Sequence, residues 1–205
     1  MSSKKIAKLL LQIKAIKLNT ENQFTWSSGK KSPIYCDNRL TLSYPDVRNF
    51  ITDELAISIK EKFTNVNLIA GVATAGIPHG ALIAHKLNLP FVYVRSSEKK
   101  HGRKNKIEGE VIKKSKVVVV EDLISTGKSS LNVANSLQIA GCEVCGIISI
   151  FNYNFEYTEE MNKKNKFKFI SLCNFNDLIA QAKKENYITV DEYNFILDWH
   201  EKFNF

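Results

Sequence analysis

Apolar positions along this chain change period several times, and each change marks an element. Ile6, Leu9, Leu10, Ile13 and Ile16 recur at helical spacing, with Lys4, Lys5, Lys8, Lys14 and Lys17 mostly off that stripe. This predicts a first helix capped by Ser2 or Ser3. Two short strand-like runs follow, Phe24-Thr25-Trp26 and Ile34-Tyr35-Cys36, on either side of the polar stretch 27–33. They read as a hairpin-like unit with a polar tip. Pro45 then stands near a helix start, and Val47, Phe50, Ile51 and Leu55 return to helical spacing.

From residue 68 onward, strand-like and helical patterns alternate. Residues 68–72 form an apolar run, followed by a small-residue turn and an apolar helix to about Leu87. Residues 91–94, 117–120, 144–151 and 167–170 read as further strands. The segment 96–109 is polar and without a regular period. A helix after residue 127 is expected to stop near Gly141, and two more helices are expected over 176–184 and 191–203. Repeated strand–helix–strand units predict an α/β fold with a parallel, doubly wound sheet. With no internal repeat and no linker, residues 1–205 read as a single domain.

Composition narrows the classes. Hydrophobic residues make up 44% and charged residues 24%, the balance of a globular protein. No apolar run approaches the ~18 residues of a membrane span. The N-terminal apolar positions are interrupted by Gln12, Lys14 and Lys17, so neither a secretory signal nor a membrane partner is expected. The net charge of +8 invites a nucleic-acid reading. No basic patch interleaved with aromatics accompanies it, so lysines spread over solvated faces explain the charge and no nucleic-acid partner is expected. One excess is local: between Arg95 and Lys106 stand six basic residues and one acid. Cys36, Cys142, Cys145 and Cys173 lack metal-ligand spacing. They read as reduced, mostly buried thiols of a cytoplasmic protein, with Cys142 and Cys145 on opposite faces of a strand.

The most informative chemistry lies at residues 117–130. Four valines are followed by Glu121 and Asp122, then Leu123 and Ile124, then Ser125-Thr126-Gly127-Lys128-Ser129. Two acids at a strand end can bind Mg²⁺, act as acid and base, or grip vicinal hydroxyls; a helix dipole alone would also favour them. The hydroxyl- and glycine-rich turn before a helix suits a phosphate. It is not a Walker loop, because Asp122 stands where that motif needs its first glycine.

This segment resembles the phosphoribosyl-pyrophosphate signature of type I phosphoribosyltransferases. Residues 24–37 resemble the N-terminal base-binding region of the orotate phosphoribosyltransferase family, and Arg95 with Lys99, Lys100, His101 and Gly102 resembles its mobile catalytic loop. The order and spacing match over nearly the whole chain. The resemblance implies the type I phosphoribosyltransferase fold, with a small hood formed mainly by residues 1–40. It implies transfer of ribose 5-phosphate from phosphoribosyl pyrophosphate to orotate. The expected products are orotidine 5′-monophosphate and pyrophosphate, in de novo pyrimidine (UMP) synthesis.

It also implies roles. Glu121 and Asp122 hold the ribose hydroxyls. Leu123, Ile124, Ser125, Thr126, Gly127, Lys128 and Ser129 surround the sugar 5′-phosphate, with Ser125 also reaching orotate. Thr74 and Ala75 belong to a pyrophosphate loop at residues 72–76. Arg95, Lys99, Lys100 and His101 contact pyrophosphate and are the catalytic candidates. Mg²⁺ is the expected cofactor, carried mainly by the substrate with no dedicated protein ligands. A homodimer is implied, each loop reaching its neighbour's site. The chain departs from some members at Ser96 and Ser27, where they carry lysines, and at Tyr153, where they have an orotate-contacting arginine. Lys30 is then the candidate partner of the orotate carboxylate. Two rivals stand beside this reading: transfer to a purine or another base, and a non-catalytic sensor of phosphoribosyl pyrophosphate that binds nucleic acid.

Overall fold

The computed structural model describes residues 2–26, 28–95, 106–165 and 167–203. The N-terminal part comprises α1 (Ser2–Gln12), β1 (Ile16–Leu18), β2 (Phe24–Thr25), β3 (Lys31–Ser32), β4 (Ile34–Cys36), a 3-10 helix (Asn38–Ser43) and α2 (Pro45–Lys62). Then come β5 (Leu68–Val72), α3 (Gly76–Leu87), β6 (Phe91–Val94), β7 (Ile107–Glu108), β8 (Lys116–Ile124), α4 (Lys128–Ile139) and β9 (Glu143–Asn152). The chain continues through α5 (Glu156–Asn165), β10 (Phe169–Asn174), α6 (Phe175–Lys184) and α7 (Val190–Lys202).

Six strands form one sheet in the order β10-β9-β8-β5-β6-β7, parallel except for β7 at the edge. Its centre is the valine strand. Val118 and Val120 pack on one face with α1, α2, α3 and α6, while Val117 and Val119 pack on the other with α4. All four are fully buried. A valine buried on this scale contributes about 1.5–3 kcal/mol relative to an exposed one. Because both faces are covered, the strand needs an unbroken apolar run rather than an alternating one. The doubly wound parallel sheet expected from the pattern is the one observed.

Several local expectations need correction. The first helix ends at Gln12, and Ile16 opens β1 instead of closing the helical stripe. The expected hairpin is narrower: β2 pairs with β3, whereas β4 pairs antiparallel with β1, Ile16 opposite Cys36. Local spacing could not show that Ile34-Tyr35-Cys36 had a better partner twenty residues upstream. β8 does not stop at Val120 but runs through both acids to Ile124, held on β9 by the register Glu121 to Ser149 and Leu123 to Phe151. The strand read at 167–170 is shifted to Phe169–Asn174. The pattern marked neither the 3-10 helix, nor β3 within the polar tip, nor α5 with its few apolar positions, nor β7 inside the stretch without a period.

Other expectations hold. Gly141 adopts φ +90° just beyond α4, as a helix-ending glycine does. All four cysteines are free, Cys142 and Cys173 buried and the other two half-buried. Cys142 and Cys145 pack on opposite faces of the sheet.

Candidate functional site

The carboxyl ends of β5 and β8 meet the amino ends of α3 and α4, where open α/β sheets bind ligands. Glu121 is buried, 6% exposed. Its oxygens accept from the Asp122 backbone N–H at 3.1 Å and from Ser130 Oγ at 3.3 Å. Burial pushes the Glu121 carboxyl well above the usual carboxylate range, and the negative charge of Asp122 adds to the shift. Burial also raises Asp122. Asp122 is held from the other side, since Asn38 Nδ2 donates to its carbonyl at 2.7 Å.

Beyond the acids the chain turns. Gly127 takes φ +72°, a left-handed conformation open to glycine, and α4 starts at Lys128 with no side-chain cap from Gly127. The Lys128 N–H reaches Thr126 Oγ1 at 3.3 Å. A helix amino end leaves first-turn N–H groups without helical partners, as an anion site needs. Thr158 Oγ1 donates to the Ser125 carbonyl and fastens the turn to α5. Across the cleft, residues 73–75 link β5 to α3. Ala73 N–H donates to the Val94 carbonyl at 3.0 Å, and Thr74 O accepts from Ile77 at 3.2 Å. Gly76 lies so close to β8 that an added Cβ would stand 2.4 Å from the Val120 carbonyl oxygen.

Two cavities flank this ridge. One, of about 590 Å³, lies under the β2–β3 hairpin and is lined by Trp26, Lys30 and Tyr35 from the hood side and by Leu123, Ser125 and Tyr153 from the sheet side. The other, of about 380 Å³, brings Ala73 of the β5–α3 turn together with Arg95, Lys106 and Ser129. Arg95 is tied to β7 by a 3.6 Å ion pair with Glu108, and its N–H donates to the Lys106 carbonyl at 2.9 Å.

The sequence-read residues thus divide. Lys30 and Ser125 share the first cavity; Arg95 and Ser129 share the second. Thr126 lines the first cavity as well, and Glu121, Asp122, Gly127 and Lys128 lie along the end of β8 and the start of α4. Ile124 differs from expectation: its side chain is in the core and its carbonyl accepts from Tyr153 N–H at 3.0 Å. Lys99, Lys100 and His101, like Ser27 and Ser96, lie outside the described residues.

The chain is similar to known proteins over this same frame. A family model described as a phosphoribosyl transferase domain matches residues 47–184. The orotate phosphoribosyltransferase of Staphylococcus haemolyticus is 49% identical over 199 residues, 97% of this chain and 98% of that protein. The chain belongs to the orotate phosphoribosyltransferase family. Among solved structures, the orotate phosphoribosyltransferase of Aeropyrum pernix superposes with a TM-score of 0.77 at 27% identity, over 90% of this chain and 99% of that one. The UMP synthase of Leishmania donovani superposes with a TM-score of 0.83 at 27% identity, over 99% of this chain but only 43% of that longer one. This phosphoribosyltransferase has no helix, among the described residues, long and apolar enough to cross a membrane.

Residues that sequence reading missed are those that hold the named ones. Ser130 was inside the quoted motif, but only the helix geometry turns it onto Glu121. Asn38 lies 84 residues from Asp122 and carries no local signal. Asp37 and Arg39 form an ion pair beside it, with Arg39 Nε donating to Asp37 Oδ1 at 2.6 Å.

Proposed function

We propose that the protein transfers ribose 5-phosphate from phosphoribosyl pyrophosphate to orotate in the cleft between its two cavities, with magnesium, as a cytoplasmic homodimer. The observation that carries this reading is that the first cavity runs onto the turn that follows the acid pair. Ser125 and Thr126, at the sugar-phosphate turn, also form its wall, opposite Lys30 and Trp26 of the hood. A planar anionic base seated there would face a ribose held three residues upstream on β8.

Displacement at the anomeric carbon forms the bond from the base nitrogen and breaks the bond to the pyrophosphate oxygen, and the proton on that nitrogen passes to the departing pyrophosphate. Positive charge builds on the ribose and negative charge on the leaving group. Glu121 and Asp122 grip the ribose hydroxyls and place two carboxyls beneath the developing cation. The α4 amino end takes the 5′-phosphate through backbone N–H groups. Backbone groups of residues 73–76, with Arg95, Lys99, Lys100 and His101, take the pyrophosphate. Both Glu121 oxygens already accept hydrogen bonds, and no group of three potential ligands converges among the described residues. The site therefore fits a magnesium ion chelated by the substrate's own phosphates. Such an ion, when bound, neutralises charge on the departing pyrophosphate.

The test is a panel of bases offered with magnesium and phosphoribosyl pyrophosphate, followed by base loss. Orotate is consumed; adenine, guanine, hypoxanthine and uracil are not. A purine preference would overturn the substrate, and turnover of no base, with salt-dependent DNA binding, would favour the sensor.

The shared-site reading has its own test. Lys99→Ala and Asp122→Asn proteins are each expected to be nearly inactive. Mixed after subunit exchange, they should recover about a quarter of wild-type turnover if loops cross the dimer, because half the dimers are mixed and each carries one intact site. No recovery would mean that each subunit closes its own site.

A further inference from the structure

The last helix reaches back to the hood, and its contacts there are of a kind the core does not need. Only Ile196 of α7 is fully buried. Its aromatic end is instead applied to the wall of the base cavity. Trp199 Nε1 donates to the Lys31 carbonyl at 3.3 Å, which ties α7 to β3. His200 Nε2 meets the Tyr153 carbonyl at 2.6 Å. A carbonyl only accepts, so the imidazole carries its proton on Nε2. Burial holds the His200 pKa below its ordinary value, consistent with a neutral ring.

The rings continue the link. Tyr153, which lines the cavity, stacks on Phe155 at 5.2 Å and 9°. Phe155 stacks on His200 at 4.8 Å and 17°, and His200 on Phe175 at 3.9 Å and 13°. On the hood side, Trp26 lies 5.2 Å from Tyr153, 5.9 Å from Trp199 and 5.2 Å from Phe203. Lys30 Nζ sits 5.0 Å from the centroid of the Phe203 ring. Three residues that line the base cavity, Trp26, Lys30 and Tyr153, therefore each rest on residues of, or just beyond, α7.

We propose that Trp199, His200 and Phe203 are positioning residues for the base: they fix the separation of the hood from β9 and with it the width of the base cavity. The proposal rests on reading that cavity as the orotate site. None of the three lines the cavity, so they act through Trp26, Lys30 and Tyr153. The sugar-phosphate turn meets this wall through one backbone bond, Tyr153 N–H to the Ile124 carbonyl at 3.0 Å, and makes none of the ring contacts, so base binding should respond more than phosphoribosyl pyrophosphate binding. A wall displaced by a fraction of an ångström costs more affinity for a rigid planar ligand than for a phosphate held at the amino end of α4.

The experiment measures KM for each substrate, kcat and melting temperature in wild type, His200→Ala, His200→Gln and Trp199→Phe. His200→Ala is expected to raise the KM for orotate about tenfold and leave that for phosphoribosyl pyrophosphate within about twofold. In His200→Gln a side-chain N–H again reaches the Tyr153 carbonyl, and most of the orotate KM returns. Trp199→Phe keeps the ring and loses the bond to Lys31; it is expected to raise the orotate KM about threefold, and it serves should His200→Ala not fold. Trp26 and Trp199 are the only tryptophans, so orotate titration of intrinsic fluorescence reads the same wall without turnover. Equal changes in both KM values, or a lowered melting temperature with neither KM changed, would overturn the proposal. Wild-type turnover of a different base would overturn the orotate reading instead, and the KM split would then be measured with that base.

Discussion

Glu121→Gln is expected to lower turnover by about 10²–10⁴-fold and at the same time raise thermal stability. The two effects have one cause. Glu121 is 6% exposed, and no cation among the described residues offsets its charge. The folded protein therefore holds a carboxyl where water has been removed from it, a cost that the proposed ribose contact would account for. Glutamine has the same shape. Its oxygen accepts from Asp122 N–H, and its amide donates to Ser130 Oγ, whose hydroxyl rotates to accept. Replacing this buried carboxyl by an amide is expected to add about 1–2 kcal/mol of stability at neutral pH.

The pH dependence follows from the direction of the shift. A carboxyl whose pKa is raised by folding is protonated more readily in the folded than in the unfolded chain. Its stability is complete below the unfolded value, near 4.5, and is lost as pH rises toward the folded value. The advantage of glutamine should be largest at neutral pH and close as pH falls toward 4.5, where Glu121 is itself neutral. Denaturant melts of both proteins across that range check this. A glutamine variant less stable than wild type at pH 7 would mean the charge is compensated.

Gly76→Ala should damage the enzyme from behind the site. The added Cβ would stand 2.4 Å from the Val120 carbonyl oxygen, 3.3 Å from its carbon and 3.4 Å from Glu121 Cα. All three are backbone atoms, so no side chain can swing aside. Either α3 lifts from the sheet or β8 yields at the residue before the acid pair. The expected cost is about 2–3 kcal/mol of stability, with turnover falling about 10²-fold from a displacement near 1 Å. Gly29→Ala is the contrast. Its Cβ would meet nothing within 4 Å, and only the left-handed φ of +82° opposes it. A loss of about 1 kcal/mol is expected there. Chemical melts and steady-state kinetics on both variants separate close packing from backbone strain. Equal losses would show that the approach of α3 to β8 is not what makes residue 76 a glycine.

What could be read in the sequence was whatever one stretch of chain decides alone. The four valines announce a strand buried on both faces because no alternation survives when both sides are covered. The acids, the hydroxyls and Gly127 follow in an order that sets carboxyls and free N–H groups at one strand end, whatever the rest of the fold does. The family resemblance carried the remaining assignments from the same local segments.

Tertiary structure decided the partners. Whether Ile34-Tyr35-Cys36 pairs with the run before it or with β1 depends on which surface is better covered, and that is not written in either segment. Asn38 reaches Asp122 only because the 3-10 helix is carried across the end of β8. Trp199, 168 residues from Lys31, is set against the hood only by the fold. Propensity and periodicity act over a few residues, whereas a cavity wall is made by surfaces that meet only after the chain has collapsed. The proposed sugar-phosphate turn is one continuous segment and could be read as one; of the cavity proposed for the base, Lys30 and Ser125 were named from the sequence, whereas their meeting with Trp26 and Tyr153 in one wall was decided by the fold.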